Sequence, residues 1–174
     1  DREIGYRLGE ANQLGNLGLV YADKGDLDKA LEHHERALAL DREIGNRLGE
    51  AQDLGNLGLV YADKGDLDRA LEHHEKALAI DREIGYRLGE ANQLGNLGIV
   101  YRQKGDLDKA LEHHQQALSI HREIGNRLGE ASALGNLGNV YSQKGDPDKA
   151  LEHYERALVI FQEIGARIGA EPVR

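Results

Sequence analysis

Cysteine is absent from all 174 residues, so neither a disulfide framework nor a thiolate metal site can form, and the redox compartment stays open. Methionine, tryptophan and threonine are missing too, and Ser119, Ser132 and Ser142 are the only hydroxyls besides tyrosine. Nucleophilic catalysis therefore finds no side chain with a base in reach. The acidic residues read as turn and wet-face residues with no carboxylate pair on a dry face, so no enzyme is expected. No apolar run approaches the roughly 20 residues that a membrane-spanning helix requires. Basic charge is in deficit, with 22 Lys and Arg against 31 Asp and Glu and a formal net charge of -9. Such a surface repels phosphate backbones and anionic membranes, so neither nucleic acid nor a membrane is an expected partner. The chain opens at Asp1 with no start residue or signal peptide in view. It reads as an excised or processed piece, with the cytoplasm as the expected location.

Proline is scarce at 2 residues, whereas glycine reaches 22. Those glycines recur at fixed places, because the whole chain repeats. The stretch Leu54-Gly55-Asn56-Leu57-Gly58-Leu59-Val60-Tyr61 returns with little change at 14–21, 94–101 and 134–141, always forty residues apart. A period of that size marks a stacked array in which each repeat packs on its neighbours. The expected organisation is a single domain, 1–174, with repeats at 6–45, 46–85, 86–125 and 126–165 and a truncated further helix at 166–174.

One repeat builds a helical hairpin. From Arg7 to Lys24 the apolar residues Leu8, Ala11, Leu14, Leu17, Gly18 and Tyr21 fall at the three-and-four spacing of one helix face. Lys24-Gly25-Asp26 ends that helix, with Gly25 free to turn left-handed and Asp26 placed to cap the next one. The second helix runs from Leu27 to Ile44 on Ala30, Leu31, His34, Ala37, Leu38 and Leu40, and Gly45 closes it. Asp1 to Gly5 reads as the stub of a preceding helix. In the fourth repeat Pro147 stands first after the capping Asp146, where a missing N–H is harmless. Beyond Gly165 a new first helix is expected from Ala166 until Pro172 stops it.

At these positions the repeat resembles a tetratricopeptide repeat: Asn56-Leu57-Gly58 with Tyr61, then Lys64-Gly65-Asp66, then Ala70, His74 and Ala77. The forty-residue period exceeds that family's usual 34. Arg42, Arg82 and Arg122 stand where the family carries a proline. Longer helices with Asn-Leu-Gly and Arg-Glu-Ile-Gly words look like the Pins-type and bacterial arrays. The resemblance implies an all-α, right-handed superhelical solenoid of four hairpins. It further implies a concave groove, lined by the first helices, that holds an extended or helical peptide, with an asparagine of the Asn56 type in contact with it.

On a helical wheel Asn56 shares a sector with Gln52, Leu59 and Asp63. Stacking then lines up Asn16, Asn56, Asn96 and Asn136 as a ladder of carboxamides, flanked by Asn12, Gln52 and Asn92. Each carboxamide can donate to and accept from a peptide group; in the alternative reading each bonds a neighbouring helix and fixes the spacing of repeats. The face varies between repeats at Leu19, Leu59, Ile99 and Asn139 and at Asp23, Asp63, Gln103 and Gln143. Asp23 and Asp63 would draw a basic end of the ligand to the N-terminal half. His34, His74 and His114, with Tyr154 in the fourth repeat, read as packing residues, and His33 and its equivalents as solvated. Adjacent histidines diverge by about 100 degrees on a helix, so no metal site is expected, and no cofactor either. Gly18 reads as a point of close helix approach. Gly9 and Gly15 each cost about 1 kcal/mol relative to alanine, and a bare Gly15 would leave room for a ligand. The rival to a peptide-binding module is a scaffold that assembles with itself. Val159, Ile160, Phe161 and Ile164 form a fresh apolar patch suited to head-to-tail or twofold association.

Overall fold

A computed structural model describes the backbone of residues 2–170 and the side chains of residues 2–166. Among the described residues eight helices succeed one another: α1 (Arg2–Asp23), α2 (Leu27–Ile44), α3 (Arg47–Asp63), α4 (Leu67–Glu83), α5 (Arg87–Lys104), α6 (Leu107–Glu123), α7 (Arg127–Gln143) and α8 (Pro147–Ala170). The same residues contain no strand. The fold is all-α and built of four helical hairpins. They divide between two compact units, Asp1–Gly89 and Glu90–Arg174, each holding two hairpins.

Local chemistry sets the hairpins. At the first turn Gly25 takes φ 76°, its neighbour's N–H returns to Tyr21 O, and the Asp26 carboxylate accepts from Lys29 N. Asp66, Asp106 and Asp146 repeat that cap. Between hairpins Gly45 turns with φ 72°, and there the cap is Asn46, whose side chain accepts from Gly49 N. Pro147 opens α8 without loss, because its position needs no N–H.

In the first unit α1 packs on α2, α2 on α3 and α3 on α4, while α1 also touches α3. Buried Ala11, Leu14, Ala30, Leu54, Leu57 and Ala70 fill the space between them. Small residues recur in that core because the helices approach closely. Gly18 lies against the fully buried ring of His34, and a Cβ there would come within 2.6 Å of Nε2. In the second unit α7 packs on α6 and α8, around Leu118, Leu134, Leu137 and Ile160.

Four expectations are corrected. Of the stub expected at Asp1 to Gly5, residues 2–5 are not a separate helix: α1 runs unbroken from Arg2, and Gly5 lacks a positive φ. So short a segment has too few residues to nucleate a helix alone, and it joins the one after it. Nor does Gly165 open a new helix, since α8 continues to Ala170. The turn at Gly45 has Asn46 to cap α3, whereas Ala166 offers no acceptor. Pro172, expected to stop that helix, lies outside the described residues.

The third correction concerns His33, which is half-buried and not simply solvated. Its ring stacks on Tyr21 at 5.1 Å, with Lys29 Nζ over the same tyrosine, and Tyr61 with His73, Tyr101 with His113 and Tyr141 with His153 meet in the same way with tilted rings. An i+12 relation across a turn is invisible to single-helix periodicity. Fourth, acidic residues are not confined to wet faces, since Asp41, Glu50, Asp53, Asp81, Glu90 and Glu130 are all buried. Asp41, Glu50, Asp53 and Glu130 face the other hairpin of their own unit, and one helix's pattern cannot show that.

Candidate peptide groove

Each unit carries a recess of about 450 Å³ on its first-helix side. In the first unit it is lined by Asn12, Asn16 and Leu19 of α1 and by Gln52 and Asn56 of α3, all expected groove residues. Ala11, Gln13, Gly15, Asp41, Gly49 and Asp53 complete its walls. In the second unit Asn92, Asn96 and Ile99 of α5 and Asn136 of α7 line the counterpart, with His114, His121, Asn126 and Ser132. Gly15 and Gly95 stand at equivalent places on the two walls, so bare backbone faces both recesses.

The ladder asparagines are unengaged: among the described residues no side-chain hydrogen bond holds Asn16, Asn56, Asn96 or Asn136. Asn16 is exposed and the other three are half-buried. The remaining expected positions separate from them. Leu59, Asp23, Asp63, Gln103 and Gln143 are exposed but line neither recess. Asn139 accepts a hydrogen bond from Tyr154 Oη at 2.8 Å and is thereby tied to its own hairpin. Val159 and Phe161 are exposed, whereas Ile160 is buried and Ile164 packs on the unit core.

Sequence reasoning missed the acids of the first recess. Asp41 and Asp53 keep only 3% and 5% of their surface exposed. Asp41 Oδ1 accepts from Asn46 Nδ2 at 2.9 Å, and Asp53 Oδ1 lies 3.5 Å from His34 Nδ1. Burial pushes the Asp53 carboxyl up, His34 opposes the shift, and Asp41 adds to it. In the second recess His121 stands where the first has Asp41, and Ala133 where it has Asp53. Burial, with Arg102 and His113 adding, lowers His114 to about 4, and burial lowers His121 as well, so these imidazoles are neutral at neutral pH. One recess can carry negative charge and the other cannot.

Two of the arginines in the family's proline position, Arg42 and Arg122, each hold the joint between the two hairpins of their unit. Arg42 Nε donates to Glu50 Oε1 at 2.8 Å and Arg47 also reaches Glu50; Arg122 and Arg127 treat Glu130 in the same way. Burial pushes both glutamates up, but these bonds outweigh it and hold the carboxyls below their usual value. The glycine at Gly49 and Gly129, equivalent to Gly9, has its reason here. A Cβ would collide with Asp41 at the first and His121 at the second.

Among the described residues no group of three metal-ligating side chains converges, and no helix is long and apolar enough to cross a membrane. No curated protein matches the sequence at a significant level. Among solved structures the chain is similar to BtubC (BKLC) from P. vanneervenii, at 27% identity and a TM-score of 0.80, over 94% of this chain and 66% of that one. It is similar to the apo form of RapI at 21% identity and a TM-score of 0.83, over 91% of this chain and 58% of that one. It is also similar to aspartyl phosphate phosphatase F from Bacillus subtilis, at 16% identity and a TM-score of 0.87, over 91% of this chain and 42% of that one. The chain thus spans two thirds or less of these three proteins, and the last two likenesses are of fold alone. The family model for the tetratricopeptide repeat matches residues 10–83 and 90–163, which include most of all eight helices. The chain belongs to the tetratricopeptide repeat family.

Proposed function

We propose that this chain is a non-catalytic protein-interaction module that binds an extended segment of a partner protein along the recesses of its first helices. The observation that carries the reading is the set of unengaged carboxamides at Asn16, Asn56, Asn96 and Asn136. A carboxamide that no group of its own fold engages can exchange its water for a ligand. Left open twice in each unit, it suits the N–H and C=O groups of a peptide backbone. Acid in the first recess favours a basic residue of the ligand in the N-terminal half, through Asp41 and Asp53 rather than Asp23 and Asp63.

The test is selection of peptides from a random display library, followed by Asn56→Ala with Asn96→Ala. Affinity for the selected peptides should fall by about 1 kcal/mol or more per lost hydrogen bond, with helicity and melting unchanged. Selected peptides whose affinity survives the double substitution would refute the reading.

A second reading is self-assembly through the ends, favoured by two exposed faces. Leu151, Tyr154, Leu158 and Phe161 form one stripe on α8, exposed by 39% to 56%. Their equivalents His114, Leu118 and His121 in the same unit are buried. On α1, Leu17 and Val20 are exposed where Leu57 and Val60 are buried. Under this reading sedimentation should show association that rises with concentration and is lost on Val159→Ser with Phe161→Asp. A parent that stays monomeric at all concentrations excludes it.

A further inference from the structure

The groove reading leaves one group unexplained. Asp53 is 5% exposed, and its Oδ2 is buried without a hydrogen-bond partner. A carboxylate in that condition is costly unless a counter-charge or donor meets it. The groups around it do not suffice. His34 Nδ1 is 3.5 Å away from Oδ1, too far for a good hydrogen bond, and both ring nitrogens of His34 lack a partner. Asp41, the second carboxylate of the recess, spends Oδ1 on Asn46 and repels a neighbouring negative charge. Among the described residues no lysine or arginine lines the recess, whose other walls are neutral and include the carboxamides Asn12, Gln13, Asn16, Gln52 and Asn56 and bare Gly15.

We propose that the first-unit recess, floored by Asp41 and Asp53, is a binding pocket for one organic cation, the guanidinium or ammonium of an arginine or lysine side chain. Such a group brings charge and several N–H donors together, and so answers both the Asp53 and the Asp41 carboxylates of the lining. The surrounding carboxamides accept its remaining N–H groups, and the volume of about 450 Å³ admits the whole head group. The second-unit recess is a control within the same molecule. With Ala133 and His121 at these positions it has the same size and carboxamide rim but no carboxylate. The proposal deepens the groove reading, because a partner segment is what would deliver the side chain. The pocket itself does not depend on that segment.

The experiment titrates the isotopically labelled full chain with argininamide, lysinamide and the neutral isostere citrullinamide, and follows backbone amide shifts by NMR. Saturable shifts at Gly49, Gln52 and Asp53 are expected with either cation. Citrullinamide should give none, and Ser132 and Asn136 should stay still. Asp53→Gln places at 53 the residue that already stands at 13 and 93, so the fold tolerates it, and it should weaken cation binding at least tenfold; Asp41→Asn should do so independently. The proposal is overturned if neither cation gives saturable shifts in the first recess. It is also overturned if citrullinamide matches them, if both recesses respond alike, or if both variants bind as the parent does. These small probes need no peptide, so loss of the asparagine-dependent peptide binding and loss of the cation pocket are read separately.

Discussion

Gly58 lies beneath the buried ring of His74, so close that a Cβ on the glycine would come within 2.7 Å of the imidazole Cε1. The same pairing joins Gly18 to His34 and Gly98 to His114, and in the fourth repeat Gly138 meets Tyr154. Gly58→Ala should therefore destabilise the chain by about 1 to 3 kcal/mol, as overpacking does, despite alanine's better helix propensity. Gly95 is also inside a helix but has nothing within 4 Å of its missing Cβ. Gly95→Ala should stabilise by up to about 1 kcal/mol. Urea unfolding of the two variants decides the matter, and equal signs would mean that the close approach at Gly58 is not what retains glycine there.

His114 gives an acid-sensitivity test. Its folded value of about 4 lies below the ordinary 6.5, chiefly because burial disfavours the charged ring. Unfolded chains take up a proton at this residue below 6.5, whereas folded ones do so only near 4, so stability falls as pH drops through that window. The full effect, reached below 4, is about 3 kcal/mol. His114→Phe keeps a ring against Gly98 and has nothing to protonate. Its stability should lose less than the parent's between those pH values in denaturant titrations, and parallel curves would contradict the assignment.

The hairpins were legible because each of their determinants is local. Leu14, Leu54, Leu94 and Leu134 repeat on one helix face, and Gly25 with Asp26 carries both the turn and the cap. The His34 and Gly18 packing was legible for the same reason. Asp41 and Asp53 were not: they lie on the seam between a second helix and the next first helix, where burial is decided by stacking and a charged residue reads as wet. His33 escaped because its partner Tyr21 is across a turn. Arg42 marked a departure from the family pattern, but only the geometry showed that it reaches Glu50. Asn16 and Asn56 line the first recess, as the helical wheel leads one to expect, whereas Asp23 and Asp63, expected on the same face, line neither recess, and Asp41 and Asp53 do line the first.

Asp53 should oppose folding at neutral pH. Burial and Asp41 raise its carboxyl above the ordinary value, with His34 only partly offsetting them. A folded chain thus holds its proton to higher pH than an unfolded one, and stability declines as pH rises from the ordinary carboxylate value through the raised one. Asp53→Gln should be more stable than the parent at pH 7, and the gain should shrink toward zero below the ordinary value of 3.8. Thermal melts at both extremes measure it. A variant less stable than the parent at pH 7 would mean that the carboxylate is satisfied within the fold, which would also remove the need for a cation in the recess.

Glu130 should behave in the opposite way. The residue is 7% exposed, its carboxylate accepts from Arg122 at 2.8 Å and from Arg127, and those bonds hold it below its usual value in spite of burial. The stabilisation is present above the ordinary 4.5 and is lost as pH falls through the lowered folded value. Glu130→Ala removes two charge-assisted hydrogen bonds, of which that from Arg122 joins α6 to α7 and that from Arg127 lies within α7. Both arginines keep more than two fifths of their side chains exposed and can return to water. The expected loss is therefore about 1.5 to 3 kcal/mol, below that for stranding a buried charge. Lys76 with Glu72, an exposed pair four residues apart on α4, serves as the comparison. Its removal should change stability by no more than about 0.5 kcal/mol. If denaturation at pH 7 gives Glu130→Ala and Glu72→Ala the same small effect, the arginine clamp does not hold the hairpins together, and the substitution at the family's proline position has some other cause.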